Sequence, residues 1–219
     1  MHALILSDSH GENELFQKAS SLAKRLKVAI ILICGDITNF GNVTQATSLL
    51  TPLTAINLPL LYVPGNCDLS SFLKEKIKKT QNLHARRKKI RDISFIGVGC
   101  APFSYLHTPS EFSENWLMDS LNRGFEMCSS EKKLIILSHT PPFNTKVDLA
   151  YMNLHIGSKS IRRFIEEKKP LAVFCGHVHE AQGIDQIGKS VVVNPGSAKK
   201  GKYALAEIDE TVEVTFGSF

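Results

Sequence analysis

Apolar residues gather in short, nearly unbroken runs, and a polar loop stops each run. Residues 3–6, 28–33, 60–63, 134–137 and 171–175 are such runs, rich in Val, Ile and Leu. Unbroken rather than alternating runs predict strands buried on both faces, the pattern of parallel pairing. Between the first runs the period changes. Leu15, Phe16, Ala19, Leu22, Ala23 and Leu26 recur at helical spacing over 12–27. Residues 44–53 predict a short helix with Pro52 near its end, and 69–79 and 111–127 predict two more. A further helix is expected over 158–168 with Ser158 as its N-cap. Residues 93–98 read as another strand. Short strands follow at 182–187, 190–193, 204–208 and 212–216, joined by tight turns such as Ile187-Gly188-Lys189. No composition break, repeat or low-complexity segment divides the chain. The pattern predicts one α/β domain over residues 1–219, with two β-sheets face to face and helices outside.

The polar loops carry the candidate chemistry. Asp8 and His10 follow the first run, Asp36 the second and Asn66 the third. His139 follows the 134–137 run, and His177 and His179 follow 171–175. Parallel strands present their C-terminal ends on one rim of a sheet. Clustering seven nitrogen and oxygen donors on one rim is costly without a cation, and two divalent ions would satisfy them. Mixed carboxylate, amide and imidazole donors suit Mn, Fe, Zn or Ni better than Ca or Mg. Two metals roughly 3.5–4 Å apart are a usual clamp for phosphoryl chemistry. Asp36 is the candidate bridge, since one carboxylate has an oxygen for each ion. A bridging water would be acidified and could attack phosphorus in line.

Composition narrows the partners. The formal net charge of +5 fits an anionic substrate and does not by itself imply nucleic acid. The Arg86-Arg87-Lys88-Lys89 run lacks the interleaved aromatics that single-strand binders use, and reads as a solvated face. No apolar run approaches the ~20 residues of a membrane span. Residues 3–7 are too short a run for a signal peptide, so the expected location is the cytoplasm. Cys34, Cys67, Cys100, Cys128 and Cys175 are odd in number and form no C-x-x-C pair. Reduced, mostly buried thiols are the simplest account.

Five blocks in order, Asp8-Ser9-His10, Gly35-Asp36, Gly65-Asn66-Cys67-Asp68, Ser138-His139 and Gly176-His177-Val178-His179, resemble the motifs of the calcineurin-like metallophosphoesterases. Asn194-Pro195-Gly196-Ser197 resembles the closing segment of their small prokaryotic phosphodiesterase branch. The resemblance implies a four-layer α/β/β/α sandwich of two mixed sheets. It implies one metal on Asp8, His10, Asp36 and His179, and another on Asp36, Asn66, His139 and His177. Manganese leads the expected metals, with Fe, Zn or Ni as alternatives. His10, Asp36 and Asn66 are the residues expected to act in catalysis, and metal-bound hydroxide the nucleophile toward a small phosphoester. Asp68 is expected to orient a metal-bound histidine.

One position departs from the pattern. Many relatives carry histidine where this chain has Cys67, and a thiol is a poor substitute for imidazolium as a general acid. Phosphodiesters with good leaving groups are therefore favoured over monoesters. His155 is either a substrate contact, the missing proton donor or a solvated loop residue, and Asp148 is expected at the surface. Two rival readings are a nuclease of the same superfamily and a retromer-subunit-like scaffold without catalysis. A nuclease needs a nucleic-acid groove or a capping domain, and a scaffold of that kind has lost several ligands that are all present here. A homo-oligomer is compatible with the sequence.

Overall fold

The computed structural model describes residues 1–126 and 133–219. Met127, the end of the predicted 111–127 helix, and Cys128 lie outside the described residues. The elements in chain order are β1 (His2–Leu6), α1 (Asn13–Arg25), β2 (Ile30–Cys34), α2 (Val43–Leu49), α3 (Thr51–Thr54), β3 (Leu60–Val63), β4 (Gln81–Asn82), β5 (Arg87–Ile90) and β6 (Ile93–Val98). They continue with β7 (Ala101–Pro102), β8 (Glu111–Phe112), α4 (Glu114–Glu126), β9 (Lys133–Ser138), β10 (Leu149–Ala150), β11 (Leu154–His155), α5 (Lys159–Lys168), β12 (Ala172–Phe174), β13 (Gly183–Ile187), β14 (Ser190–Asn194), β15 (Lys202–Ile208) and β16 (Val212–Ser218).

Two six-stranded mixed sheets form, in the orders β16-β15-β1-β2-β3-β4 and β13-β14-β12-β9-β6-β5. The unbroken apolar runs are their central, parallel strands. Each run serves two faces at once. Leu4, Leu6, Ile31, Ile33 and Tyr62 pack on α1 to α3 through Phe16, Ala19, Leu22, Leu49 and Leu53. The alternate residues Ala3, Ile5, Ile30, Leu32, Leu61 and Val63 meet Phe95, Ile135, Leu137 and Phe174 of the second sheet. Ile96, Leu134, Ile136 and Val173 face Leu117, Leu121, Phe164 and Ile165 of α4 and α5. Three apolar layers thus join four layers of structure, α/β/β/α, as expected.

Local differences have local causes. The 44–53 segment splits at Leu50 into α2 and α3, with Pro52 in the first turn of α3, where its missing N–H costs nothing. Only Ser70–Leu73 of the 69–79 segment forms a turn of 3₁₀ helix. Ile77 is its one buried apolar residue after Phe72, too few for an apolar stripe. Glu111 and Phe112 leave the predicted helix to pair with Ala101 and Pro102. Helix α4 then begins at Glu114, whose carboxylate accepts from Lys159 N at 2.9 Å and Ser160 N at 3.0 Å and so caps α5 beside Ser158. The basic run falls partly on the edge strand β5, where exposed Lys88 and Lys89 discourage pairing with another chain. Cys34, Cys100 and Cys175 are buried thiols and Cys67 is half-buried. No helix of the described residues is long and apolar enough to cross a membrane.

Candidate metal centre

All seven predicted donors stand just beyond the C-terminal ends of β1, β2, β3, β9 and β12, where the two sheets share a rim. Backbone hydrogen bonds sew these loops together. Asp8 N–H donates to Gly35 O (3.1 Å), His10 N–H to Asp36 O (2.9 Å) and Gly176 N–H to His139 O (2.9 Å). The Asp8 carboxylate accepts the His177 backbone N–H at 3.0 and 3.2 Å, which links the first sheet to the second. Asp8, His10, Asp36 and His177 all hold left-handed backbone conformations, with φ of 55°, 46°, 50° and 69°. Such strain gathers where surrounding structure over-determines a functional site. Gly35 has φ +94°, and a Cβ there would lie 2.4 Å from His139 Nδ1.

Asp36 sits at the centre and is buried. Its Oδ2 lies 3.6 Å from His10 Nε2, and its Oδ1 lies 3.6 Å from His139 Nε2. Oδ1 also accepts the Cys67 backbone N–H at 2.8 Å, which fixes the plane of the carboxylate. On one side, donor atoms of Asp8, His10 and His179 lie within 4.8 Å of one another. His10 Nε2 and His179 Nε2 are 3.1 Å apart, and His179 Nε2 is 3.4 Å from Asp8 Oδ1. On the other side, Asp8, Asp36 and His139 form a second such group. Asn66 Oδ1 stands 2.7 Å from His139 Nε2. His10, Asp36 and Cys67 form a third such group, and His177, edge-on to His139 with ring centroids 5.0 Å apart, belongs to none of the three.

Proton positions test whether a cation fits. His139 Nδ1 is 2.8 Å from Cys34 O, and a carbonyl can only accept, so Nδ1 carries the hydrogen. That leaves Nε2 as the ring nitrogen turned into the site, where it can hold either a proton or a metal ion. The atom facing it at 2.7 Å, Asn66 Oδ1, is an acceptor. A nitrogen and an oxygen that approach this closely in a buried place fit one cation between them, a shared proton or, in its place, a metal ion. On the other side His10 Nε2 and His179 Nε2 also approach each other, with His179 Nε2 beside the Asp8 carboxylate. Burial lowers His10 to about 4 and His177 to about 3, so both rings are neutral and available as ligands at pH 7. Burial works to raise Asp8, but its contacts with His179 and His139 outweigh it and bring the group to about 2. Contact with Asp8 raises His179. Burial raises Asp36 to about 7, with the neighbouring Asp8 and Asp68 carboxylates adding to it against His139. These donors therefore suit a divalent ion, which would hold Asp36 ionised.

Several supporting residues differ from expectation. Among the described residues Asp68 makes no hydrogen bond to a histidine ring. Its carboxylate accepts from Ile37 N (3.2 Å), Thr38 N (2.8 Å), Thr38 Oγ1 (2.8 Å) and Gly65 N (2.9 Å), so it ties the Asp36 loop to the Asn66 loop. The Nδ1 hydrogen of His139 goes to a backbone carbonyl instead. Asp68→Asn places an amide N–H₂ among these donors and is expected to cost about 2–3 kcal/mol of stability, read from urea unfolding. Asp148, expected at the surface, is fully buried. It accepts the backbone N–H groups of Asn144, Thr145 and Gly157 and holds His155 Nδ1 at 2.8 Å. The loop from Asn144 to Gly157 has many backbone donors to satisfy, and one buried carboxylate collects three of them. The same loop meets Glu180, beside His179, through Tyr151 N–H at 2.9 Å.

Sequence reasoning singled out the 194–197 segment without a role. Asn194 Nδ2 donates to Val178 O, between the two histidines, at 2.9 Å, and Ser197 Oγ donates to Asp8 O at 3.0 Å. The segment thus braces the donor loops of both sheets. Thr108 and Lys199 were not singled out, because they meet Asn66 and the Asp8 loop from far along the chain, and Glu111 reaches the site only through Thr108. A cleft of about 500 Å³ opens beside His10 and His179 and is lined by Asn39, Ser197, Lys199 and Lys200.

Two mixed sheets with this donor set on their shared rim define a metallophosphoesterase fold, and the chain belongs to the calcineurin-like phosphoesterase superfamily. The family described as Calcineurin-like phosphoesterase superfamily domain matches residues 1–211. An uncharacterized protein of Methanocaldococcus jannaschii is 36% identical over 170 residues, 76% of each chain. A probable cyclic nucleotide phosphodiesterase of Vesicomyosocius okutanii is 25% identical over 183 residues, 83% of this chain and 76% of the relative. A dimetal phosphatase from Danio rerio has the same fold, with TM-score 0.71 and 14% identity over 100% of this chain and 96% of that one.

Proposed function

We propose that this protein is a phosphodiesterase that works with two divalent ions, Mn being the leading candidate, on a small phosphoester. The observation that carries the reading is the gathering of donor atoms on both sides of Asp36, His139 Nε2 and Asn66 Oδ1 on one side and His10 Nε2 and His179 Nε2 on the other. One ion is assigned to Asp8, His10, Asp36 and His179, and the other to Asp36, Asn66, His139 and His177. When bound, the ions supply positive charge to the phosphate oxygens and lower the pKa of an attacking water.

The chain's own residues do the positioning. Asp36 fixes the separation of the two donor groups, because Cys67 N–H pins one carboxylate oxygen and leaves the other toward His10. Lys199 and Lys200 line the cleft beside His10 and His179 and attract the anionic substrate. Cys67 supplies no proton source comparable to imidazolium. Burial and the neighbouring Asp36 carboxylate push its thiol well up, so it stays protonated. Leaving groups that depart without protonation are therefore favoured. The phosphodiesterase name of the Vesicomyosocius relative supports the same class.

The test is a substrate panel run with Mn2+. Bis(p-nitrophenyl) phosphate is expected to turn over faster than a phosphoserine peptide. Faster turnover of the peptide would sink the diester preference.

A further inference from the structure

Asn66 can present either end of its amide to His139, and the two ends are opposite in charge. Something must choose the oxygen. The choice is made outside the five motif blocks, in the 101–112 loop. Asn66 Nδ2 lies 3.0 Å from Thr108 Oγ1, and Thr108 Oγ1 lies 2.6 Å from Glu111 Oε1. Glu111 also accepts from Thr108 N (2.8 Å), Ser104 N (2.7 Å) and Ser104 Oγ (2.8 Å). Burial opposes its charge, but these hydrogen bonds prevail and bring it to about 2, so the carboxylate only accepts. The Thr108 hydroxyl hydrogen is then committed to Glu111. Its oxygen has only lone pairs left for Asn66, so the atom facing it is the amide nitrogen. The other amide hydrogen is directed to the Cys67 sulfur at 3.6 Å. The loop cannot drift from this register, because Ser110 N donates to Asn66 O at 3.0 Å and Ser110 Oγ donates to Asp68 O at 2.6 Å.

We infer that Thr108 is a positioning residue, which, with its hydroxyl oriented by Glu111, locks the Asn66 amide so that Oδ1 faces His139 and the cation site. The inference rests on the reading of Asn66 as a metal-facing group. Residues that orient a ligand commonly change metal affinity 10–100-fold.

Two measurements test the relay. The first is Mn2+ binding by equilibrium dialysis. Thr108→Val, which keeps the volume and removes the hydroxyl, is expected to weaken the weaker of the two Mn2+ sites at least about tenfold, and Thr108→Ser to restore it to within about twofold. The second needs no metal. The Asn66 side-chain amide signals, assigned by their loss in Asn66→Asp, are followed by NMR in chelator. Their exchange with water is expected to quicken at least about tenfold in Thr108→Val and in Glu111→Leu, and to stay near wild type in Thr108→Ser. Unchanged exchange in Thr108→Val overturns the relay, as does a Thr108→Ser protein that behaves like Thr108→Val. Unchanged exchange in Glu111→Leu removes Glu111 from it. A wild-type protein that binds no Mn2+ would instead sink the metal reading, and the NMR measurement would still decide the orientation of Asn66.

Discussion

Asp36→Asn is expected to lower turnover of a phosphodiester at least about a thousandfold and to leave the protein folded. The loss is of the size seen when one stabilising group is deleted from a preorganised site, or larger. The amide is nearly isosteric, and its oxygen can still accept from Cys67 N–H as Oδ1 does now at 2.8 Å. What it cannot do is offer anionic oxygens toward both His10 and His139. A second outcome separates function from folding. Asp36 has an ordinary value of 3.8 and is raised by burial to about 7. A carboxyl raised in the folded state favours folding while it is protonated. Its cost therefore grows as pH rises from about 4 to about 7 and is complete above that. In chelator at pH 8, Asp36→Asn is expected to be more stable than wild type by a few kcal/mol. At pH 5 the gap should narrow. Calorimetry at the two pH values checks the sign. Near-wild-type turnover with saturating Mn2+ would overturn the central role of Asp36.

Gly65→Ala should be the most damaging single-methyl change in the rim. A Cβ on Gly65 would lie 2.0 Å from Asp36 Oδ1 and 2.2 Å from the Asp36 backbone nitrogen. The carboxylate could turn away, but the backbone nitrogen cannot. It belongs to a loop whose own carbonyl accepts His10 N–H at 2.9 Å. Relief requires the Asn66 loop to move off the Asp36 loop, against the Gly65 N–H bond to Asp68. Such overpacking is expected to cost about 3 kcal/mol or more. It should also weaken Mn2+ binding, since Asp36 and Asn66 would separate. Urea unfolding and equilibrium dialysis read the two losses. Wild-type values in both would show that this close approach is dispensable.

The two variants show where the sequence was legible. Asp36 could be found from its place after an apolar run, and the glycine before it could be seen in the same block. The reason for Gly65 could not, because the atom that excludes a side chain there belongs to a residue 29 positions earlier. The same holds for Asp68. A carboxylate beside a donor block suggested a histidine partner, yet it holds the backbone N–H groups of Ile37, Thr38 and Gly65. Asp148 misled in the opposite direction. A charged residue in a long loop reads as solvated, and burial by the loop that it organises is a property of the folded loop alone.

The sequence by itself determined the layered α/β architecture, because apolar runs buried on both faces leave few other packings. It also determined that the seven candidate donors gather, because each follows a strand end and parallel strands put those ends on one rim. Only the tertiary structure decided how the donors face one another. The approach of His139 to Asn66, the two-sided setting of Asp36 and the direction of the Asn66 amide all depend on hydrogen bonds between loops far apart in the chain. Spacing along one segment carries the period of a strand or helix, but the direction of a hydrogen bond depends on which partner the fold brings to it.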